Sequence, residues 1–336
     1  MHDFLRTSTI ALRRCCAALA ISVHLSGIAV AQIERLPDPA TEMRPAVNEA
    51  WFTQQQWGDQ IIHRGTAIDE VSPHNADAGR VQEVWRWHVL PAGMIYRAYL
   101  AGEKESRMAG YWNWEQDDGA LWDITLGGRA ALLRYGTFDP ILPHGFEVQI
   151  EGAAFPRLDP DRNHDLTYAD FRFGVPLVYS HGPWELKLAY YHLSSHVGDE
   201  QMIHNNSLFR VNYVRDAIVW GMAYRWTPDL RLYGETAWAF NADGGAKPWE
   251  FQFGAEFSPL TPTGIRPVPF WALNGHLRQE HNYSGNLVAQ IGLQWRSAAT
   301  GARLRTGFEY YNGKSRQWEI FNTFEQQAGI GLWYDF

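Results

Sequence analysis

The stretch "LVAQIGLQWR" (residues 287–296) sets Leu287, Ala289, Ile291, Leu293 and Trp295 on one parity and Gln290, Gly292, Gln294 and Arg296 on the other. Successive side chains of a β-strand point to opposite faces, so this run has one apolar and one polar face. "WEFQFGAEF" (residues 249–257) repeats the pattern, with Trp249, Phe251, Phe253, Ala255 and Phe257 against Glu250, Gln252 and Glu256. "LWDITLGGRAALL" (residues 121–133) sets Trp122, Ile124, Leu126 and Leu132 against Asp123, Thr125 and Arg129. Alternation over about ten residues, repeated with aromatic ends, predicts an all-β chain that forms a transmembrane outer-membrane β-barrel. One face meets lipid and the other lines a polar lumen. A soluble β-sandwich also alternates, but its strands average about 5–6 residues, shorter than these runs.

The last six residues, "GLWYDF", weigh in the same direction. Phe336, Tyr334 and Leu332 share a parity, and Gly331 stands five residues before the end. A terminal aromatic preceded by aromatic and glycine positions resembles the C-terminal signal by which bacterial barrels engage the barrel-assembly machinery, here through Phe336.

At the other end, residues 1–31 read as a secretory signal peptide. Arg6, Arg13 and Arg14 precede the apolar run "CCAALAISVHLSGIAVA", which closes on Ala29-Val30-Ala31. A small-x-small ending of this kind marks a cleavage site. The run is interrupted by His24, Ser26 and Gly27, and about 20 apolar residues would be needed for a membrane helix. Cys15 and Cys16 are the chain's only cysteines. Cleavage therefore leaves a chain without disulfide or thiolate–metal chemistry. The full chain carries 29 Lys and Arg against 37 Asp and Glu, a net charge of −8. Removing three Arg and one Asp with the leader makes it more acidic still, which argues against nucleic acid as a partner.

Short turns lie in the periplasm and longer loops outside in such barrels. Counting back from the C terminus, "SAATGA", "SPLTPTGIRP", "TPD" and "SHGP" fall in the periplasm. "YNGKSRQWE", "EHNYSGN", "NADGGAKP", "HVGDEQMIHNNS" and "LDPDRNHD" fall outside. This spacing predicts about twelve antiparallel strands, starting near Glu105 and ending at Phe336. The barrel domain is expected over residues 93–336. Residues 32–92 do not alternate and read as a periplasmic or lumen-entering segment. "GMIYRAYLAG" (residues 93–102) is either an extra strand or a plug.

The runs "IYRAYLAGEKESR", "LWDITLGGRAALLRYGT", "EGAAFPRLD", "YYHLSSHVGDE", "NYVRD", "PWEFQFGAEFSP", "NGHLRQE" and "GLWYDF" together resemble, over about residues 93–336, a bacterial family designated domain of unknown function 1207. The resemblance implies an outer-membrane barrel and brings no established activity with it. Function has to be argued from the residues.

Two constellations carry chemistry. In "LKLAYYHLSSHVGDE" (residues 186–200), Leu186, Leu188 and Tyr190 share the parity of His192 and Ser194. The topology places them on the lipid-facing side, with His192 and Ser194 at the extracellular rim. The next strand, "VNYVRDAIVWGMAYRW", offers Asn212 and Asp216 on its lipid-facing parity, within about 5 Å if directly opposite. A hydroxyl nucleophile needs a base within reach and a third group to orient that base. The layout resembles that of outer-membrane phospholipase and lipid A deacylase barrels, which implies His192 as base, Ser194 as nucleophile and Asn212 or Asp216 as orienter. Those enzymes usually follow the Ser with Asn, whereas Ser195 follows here. The plain alternative is that polar residues mark where the strand leaves hydrocarbon. The implied substrate is outer-membrane lipid or lipopolysaccharide.

The second constellation is "DPDRNHDLTYAD" (residues 159–170). Asp159, Asp161, Asn163, Asp165 and Asp170 occupy positions 1, 3, 5, 7 and 12 of an EF-hand-like loop and predict a Ca²⁺ site. His164 replaces the usual glycine, the last ligand is Asp rather than Glu, and the flanks are strands. A solvated acidic loop is the alternative. Inward-facing charges of both signs, among them Asp123, Arg129, Glu151, Lys187 and Arg215, are consistent with either a salt-bridged closed barrel or a narrow channel. No glycine-rich phosphate loop, HExxH or GxSxG appears.

Overall fold

In the computed structural model, the described residues are 84–116 and 119–336. The predicted signal peptide and most of the 32–92 segment lie outside them. Twelve antiparallel strands close into a barrel: β2 (Met108–Glu115), β3 (Gly119–Gly136), β4 (Gly145–Asp159), β5 (Asp165–His181), β6 (Trp184–Val197), β7 (Val214–Arg225), β8 (Leu230–Asp243), β9 (Trp249–Phe257), β10 (Val268–Arg278), β11 (Ser284–Arg296), β12 (Arg303–Lys314) and β13 (Phe324–Asp335). Each pairs with its neighbours in the chain. Closure comes from β2, which pairs with β3 on one side and with β13 on the other, from Gln327 opposite Glu115 to Tyr334 opposite Met108. A short extra strand, β1 (Arg86–Val89), pairs only with the far end of β3. The count and the turn positions agree with the sequence reading.

Closure follows from the membrane as solvent. An unpaired backbone group in hydrocarbon costs several kcal/mol, so a spanning sheet cannot keep an open edge. The alternation then sorts side chains. On β11, Leu287, Ile291 and Leu293 are exposed on the outer wall, while Gln290, Gln294 and Arg296 are buried inside.

The segment that the sequence left as strand or plug is a plug. Every residue from 94 to 107 is buried, and none of them belongs to a strand. Without a ladder, its polar groups take partners from the wall. Ile95 N donates to Glu147 Oε1 at 3.0 Å and Leu100 N to Glu256 Oε2 at 2.8 Å. Tyr99 stacks on Tyr233 with ring centroids 3.7 Å apart, and its hydroxyl donates to Glu235. The Glu103 carboxylate accepts from Asn286 Nδ2 and Tyr311 OH, and His276 Nδ1 lies 3.0 Å from it.

Around the plug the lumen is filled by ion pairs. Arg157 of β4 meets Asp123 of β3 at 2.7 Å and Glu325 of β13 at 2.6 Å, joining the strands on either side of β2. Lys104 meets Asp170, Lys187 meets Glu235, and Arg316 meets Glu309, each at 2.5 Å. Arg134, Arg215, Arg278 and Arg305 are completely buried, as are Trp318 and Trp333. The described lumen side chains form the ion pairs that the salt-bridged reading expects. Arg157→Ala leaves two buried carboxylates facing each other, and loss of one partner from a buried pair costs about 3–5 kcal/mol. The expected outcome is a large fall in the urea midpoint of the folded barrel, with Glu325→Gln costing less because Asp123 keeps its partner.

The loop end is capped by Trp318 and Phe321, which pack on Tyr213. His281 also packs here, its ring 5.6 Å from Phe321. Burial, reinforced by the positive charges of Arg278 and Lys314, pushes the His281 imidazole down to about 3. A depressed base is neutral when folded but protonates in the unfolded chain near 6.5. Its contribution is therefore fully present above pH 6.5 and is lost as pH falls toward 3, by at most about 1.4 kcal/mol per pH unit. The loop-end cap of wild type is expected to loosen between pH 6.5 and 4 by amide exchange, and His281→Phe to flatten that dependence.

Candidate active site on the outer barrel wall

Strand β6 climbs from the turn end to the loop end, and its two parities separate as its sequence requires. Trp184, Leu186 and Leu188 are exposed on the outer wall, then Tyr190, His192 and Ser194 continue that face half-buried. Glu185, Lys187 and Tyr191 are buried in the lumen. The pairing with β7 sets His192 directly opposite Asp216 and Ser194 opposite Val214.

The pair makes contact: His192 Nδ1 lies 2.9 Å from Asp216 Oδ1. An ionised carboxylate can only accept, so Nδ1 carries the proton, and in the neutral imidazole Nε2 keeps its lone pair. Two further donors hold the carboxylate. Tyr190 OH donates to Oδ1 at 2.7 Å, and Asn241 Nδ2 donates to Oδ2 at 2.8 Å. Asp216 is therefore fixed from β6 and β8 as well as from its own strand. Ser194 stands two residues beyond His192 on the same face, its backbone roughly 7 Å further along the strand, and the structure brings His192 to Asp216 without a hydrogen bond between His192 and Ser194.

Of the two candidate orienters, the structure brings Asp216 to His192 and not Asn212. Asn212 precedes β7 in a left-handed conformation, φ 53°, and its N–H donates to the Glu319 carboxylate. Ser195, the departure from the usual Asn, faces inward and is buried opposite Asp170. His196 is exposed at the rim, edge-on to Phe171.

Tyr190 and Asn241 were not anticipated. Tyr190 sits on the legible outward parity. Asn241 could not be read by parity, because the β7–β8 register shifts between Asp216 and Ala217, leaving Phe240 without an opposite residue and turning Asn241 toward Asp216. A bulge of this kind re-aims one side chain by one register step.

The predicted Ca²⁺ donors are divided. Asp159 caps a single 3₁₀ turn, Pro160–Arg162, by accepting from Asp161 N at 2.9 Å, and it also pairs with Arg162. Asn163 and His164 both take left-handed conformations, φ 53° and 64°, which makes the sharp turn without glycine. Asp165 pairs across the ladder with Asp159. Asp170 lies five residues further along β5, inside the barrel, where it holds Lys104 and accepts from Trp318 N at 3.0 Å. Among the described residues, no group of three or more His, Asp or Glu side chains is placed to hold a metal ion. The tip donors and Asp170 thus do not form one donor set.

No curated protein matches the chain. Among solved structures, the chain is similar to outer membrane phospholipase A from Escherichia coli, at 11% identity over 68% of this chain and 89% of that one, TM-score 0.44. It is similar to the Salmonella typhi outer membrane phospholipase dimer with bound calcium, at 10% identity over 71% and 91%, TM-score 0.45. It is also similar to the KdgM porin in complex with disordered oligogalacturonate, at 9% identity over 68% and 99%, TM-score 0.37. A family model matches residues 50–336, which include the whole of the described barrel and its plug, and the chain belongs to the family described as "Protein of unknown function (DUF1207)".

Proposed function

We propose that this protein resides in the bacterial outer membrane and hydrolyses acyl esters of outer-leaflet lipid at its outer wall. The observation that carries this reading is the 2.9 Å contact of His192 Nδ1 with Asp216 on the lipid-facing side of β6 and β7. A surface histidine that merely marked the end of the hydrocarbon would have no use for a carboxylate held by three donors. A base that must keep one tautomer would.

In this reading Nε2 of His192 takes the proton of the Ser194 hydroxyl as Oγ attacks the ester carbonyl carbon. The protonated His192, stabilised by Asp216, then gives that proton to the departing alcohol oxygen as the ester C–O bond breaks. Water, giving a proton to the same Nε2, attacks the acyl carbon; the acyl–Oγ bond breaks, Ser194 Oγ recovers the proton from Nε2, and the fatty acid is released. The substrate class is a lipid ester at the outer-leaflet interface, phospholipid or lipopolysaccharide. The connection from β6 to β7, which includes the short helix α1 (Asp199–His204), exposes Ile203, Leu208 and Phe209 at the loop end of the barrel. Apolar side chains there suit an interface with lipid.

The protein reconstituted in vesicles containing lipopolysaccharide and phosphatidylethanolamine is expected to release fatty acid. His192→Ala and Ser194→Ala should lower the rate at least about 100-fold with folding intact, and Asp216→Asn should lower it by a factor between about 10² and 10⁴. Ser195→Ala, on the lumen side, serves as the matched control and retains activity. Equal release by wild type and Ser194→Ala would refute the assignment. The alternative, a channel, forecasts unitary conductance steps in planar bilayers; with the lumen packed as described, none are expected, and their appearance would favour the channel.

A further inference from the structure

Attack on an ester carbonyl puts negative charge on its oxygen, and a donor must be waiting for that charge. Backbone amides often serve, but β6 has none to give. It pairs with β5 from Trp184 opposite His181 to Val197 opposite Tyr168, and with β7 from Trp184 opposite Tyr224 to Ser194 opposite Val214. The next amide, Ser195 N, donates to the Tyr213 carbonyl at 2.9 Å. A strand inside a sheet spends its amides in the two ladders, in the plane of the wall, so none points outward at a bound ester. A donor fixed by the protein therefore has to be a side chain.

The side chains around Ser194 narrow the choice. Phe171 on β5 and Val214 on β7 stand directly opposite it, and Phe173 stands opposite His192. None of these side chains carries a polar hydrogen. Tyr190 and Asn241 are engaged by Asp216. Asn212 leaves the β6–β7 ladder in a left-handed conformation, φ 53°. What remains is His196, two residues beyond Ser194 on the same outward parity and exposed. His192 and His196 thus flank the hydroxyl on either side, each with its backbone roughly 7 Å from that of Ser194. The two imidazoles differ in one respect. His192 is tied to Asp216, whereas the His196 ring nitrogens have no hydrogen-bond partner among the described residues. The Glu319 carboxylate of the loop-end cap accepts from the Val211 and Asn212 amides and not from His196. The His196 ring lies edge-on to Phe171, centroids 5.5 Å apart, and this contact keeps it beside the row that holds Ser194.

We propose that His196 is the oxyanion donor of the outer-wall site, its N–H hydrogen-bonding the carbonyl oxygen of the scissile ester while Ser194 Oγ attacks the carbonyl carbon. This rests on the hydrolase reading of His192, Ser194 and Asp216. As the Oγ–C bond forms, the π pair of the C=O bond moves onto that oxygen, and the hydrogen bond from His196 strengthens. The pair returns to the C–O bond when the alcohol departs with the proton carried by His192 Nε2. His196 keeps its own proton throughout, and a neutral imidazole already has the one N–H required. Phe171, Phe173 and Val214 border the reacting oxygen with apolar surface, where a single donor acts on a weakly screened charge.

The test measures kcat and KM for fatty-acid release from the same vesicles, with heat-modifiable gel mobility as the check of folding. His196→Ala is expected to lower kcat about 100-fold or more with KM nearly unchanged, as removal of one oxyanion donor does. His196→Gln restores an N–H at similar reach and should bring kcat back to within about 10-fold of wild type. A long-chain trifluoromethyl ketone, which Ser194 converts into a tetrahedral adduct, should bind about 100-fold more weakly to His196→Ala than to wild type. Wild-type kcat in His196→Ala would overturn the proposal. So would a rise in KM alone, which would make His196 a head-group contact. The two readings fail separately. Release that does not depend on Ser194 removes the hydrolase reading and this proposal with it, whereas release that depends on Ser194 and not on His196 removes this proposal alone.

Discussion

Within hydrocarbon, a backbone N–H or C=O has no water to turn to, and each one left unpaired costs several kcal/mol. The architecture depends on that constraint at two levels. It closes the twelve strands through β2 and β13, and it obliges alternate side chains to divide between lipid and lumen. Because the lumen of a twelve-strand barrel is small, its inward side chains are forced to pack against one another. Charges placed there must then be paired, and Arg157 between Asp123 and Glu325 shows how one guanidinium can tie together strands that β2 separates.

The plug obeys the same constraint by other means. It has no ladder, so its amides and hydroxyls are met by wall carboxylates such as Glu147, Glu235 and Glu256. An acidic wall residue thereby serves two groups at once, an arginine of the wall and a donor of the plug. Glu256, for example, accepts from Arg231 and from Leu100 N. The outer wall can carry specialised chemistry because the interior already supplies the rigidity. Asp216 is positioned by strands that are themselves held from within.

What could be read in advance follows from this division. Period-2 alternation reports directly on a wall with lipid on one side, so strands, turns and the outward parity of Leu186 through Ser194 were legible. The register between β6 and β7 was legible only to the nearest pair, which is why Asp216 and Asn212 stood as equals until Asp216 was found opposite His192. Asn241 was hidden by a bulge, since one extra residue at Phe240 reverses every parity inference beyond it. The plug was legible only as one of two possibilities, because residues 93–102 carry no period that separates a strand from a packed segment, and they meet both apolar and charged wall residues. The acidic stretch 159–170 was misleading in one respect: spacing along a chain does not reveal that Asp170 turns into the lumen while the others stay at the tip.

The position of the plug in the chain has a consequence for how the molecule is made. Residues 94–107 come immediately before β2, and β2 is the strand that meets β13, the last strand of the barrel in chain order. The wall therefore cannot be sealed before β13 is in place, and the plug is tethered directly to the sealing strand. Closure and filling are one event. A nascent sheet of β3 to β13 would hold its arginines and glutamates in a cleft still open along one side, reachable by water and by assembly factors. Drying of the interior would then be the final step, timed by the arrival of the C-terminal strand.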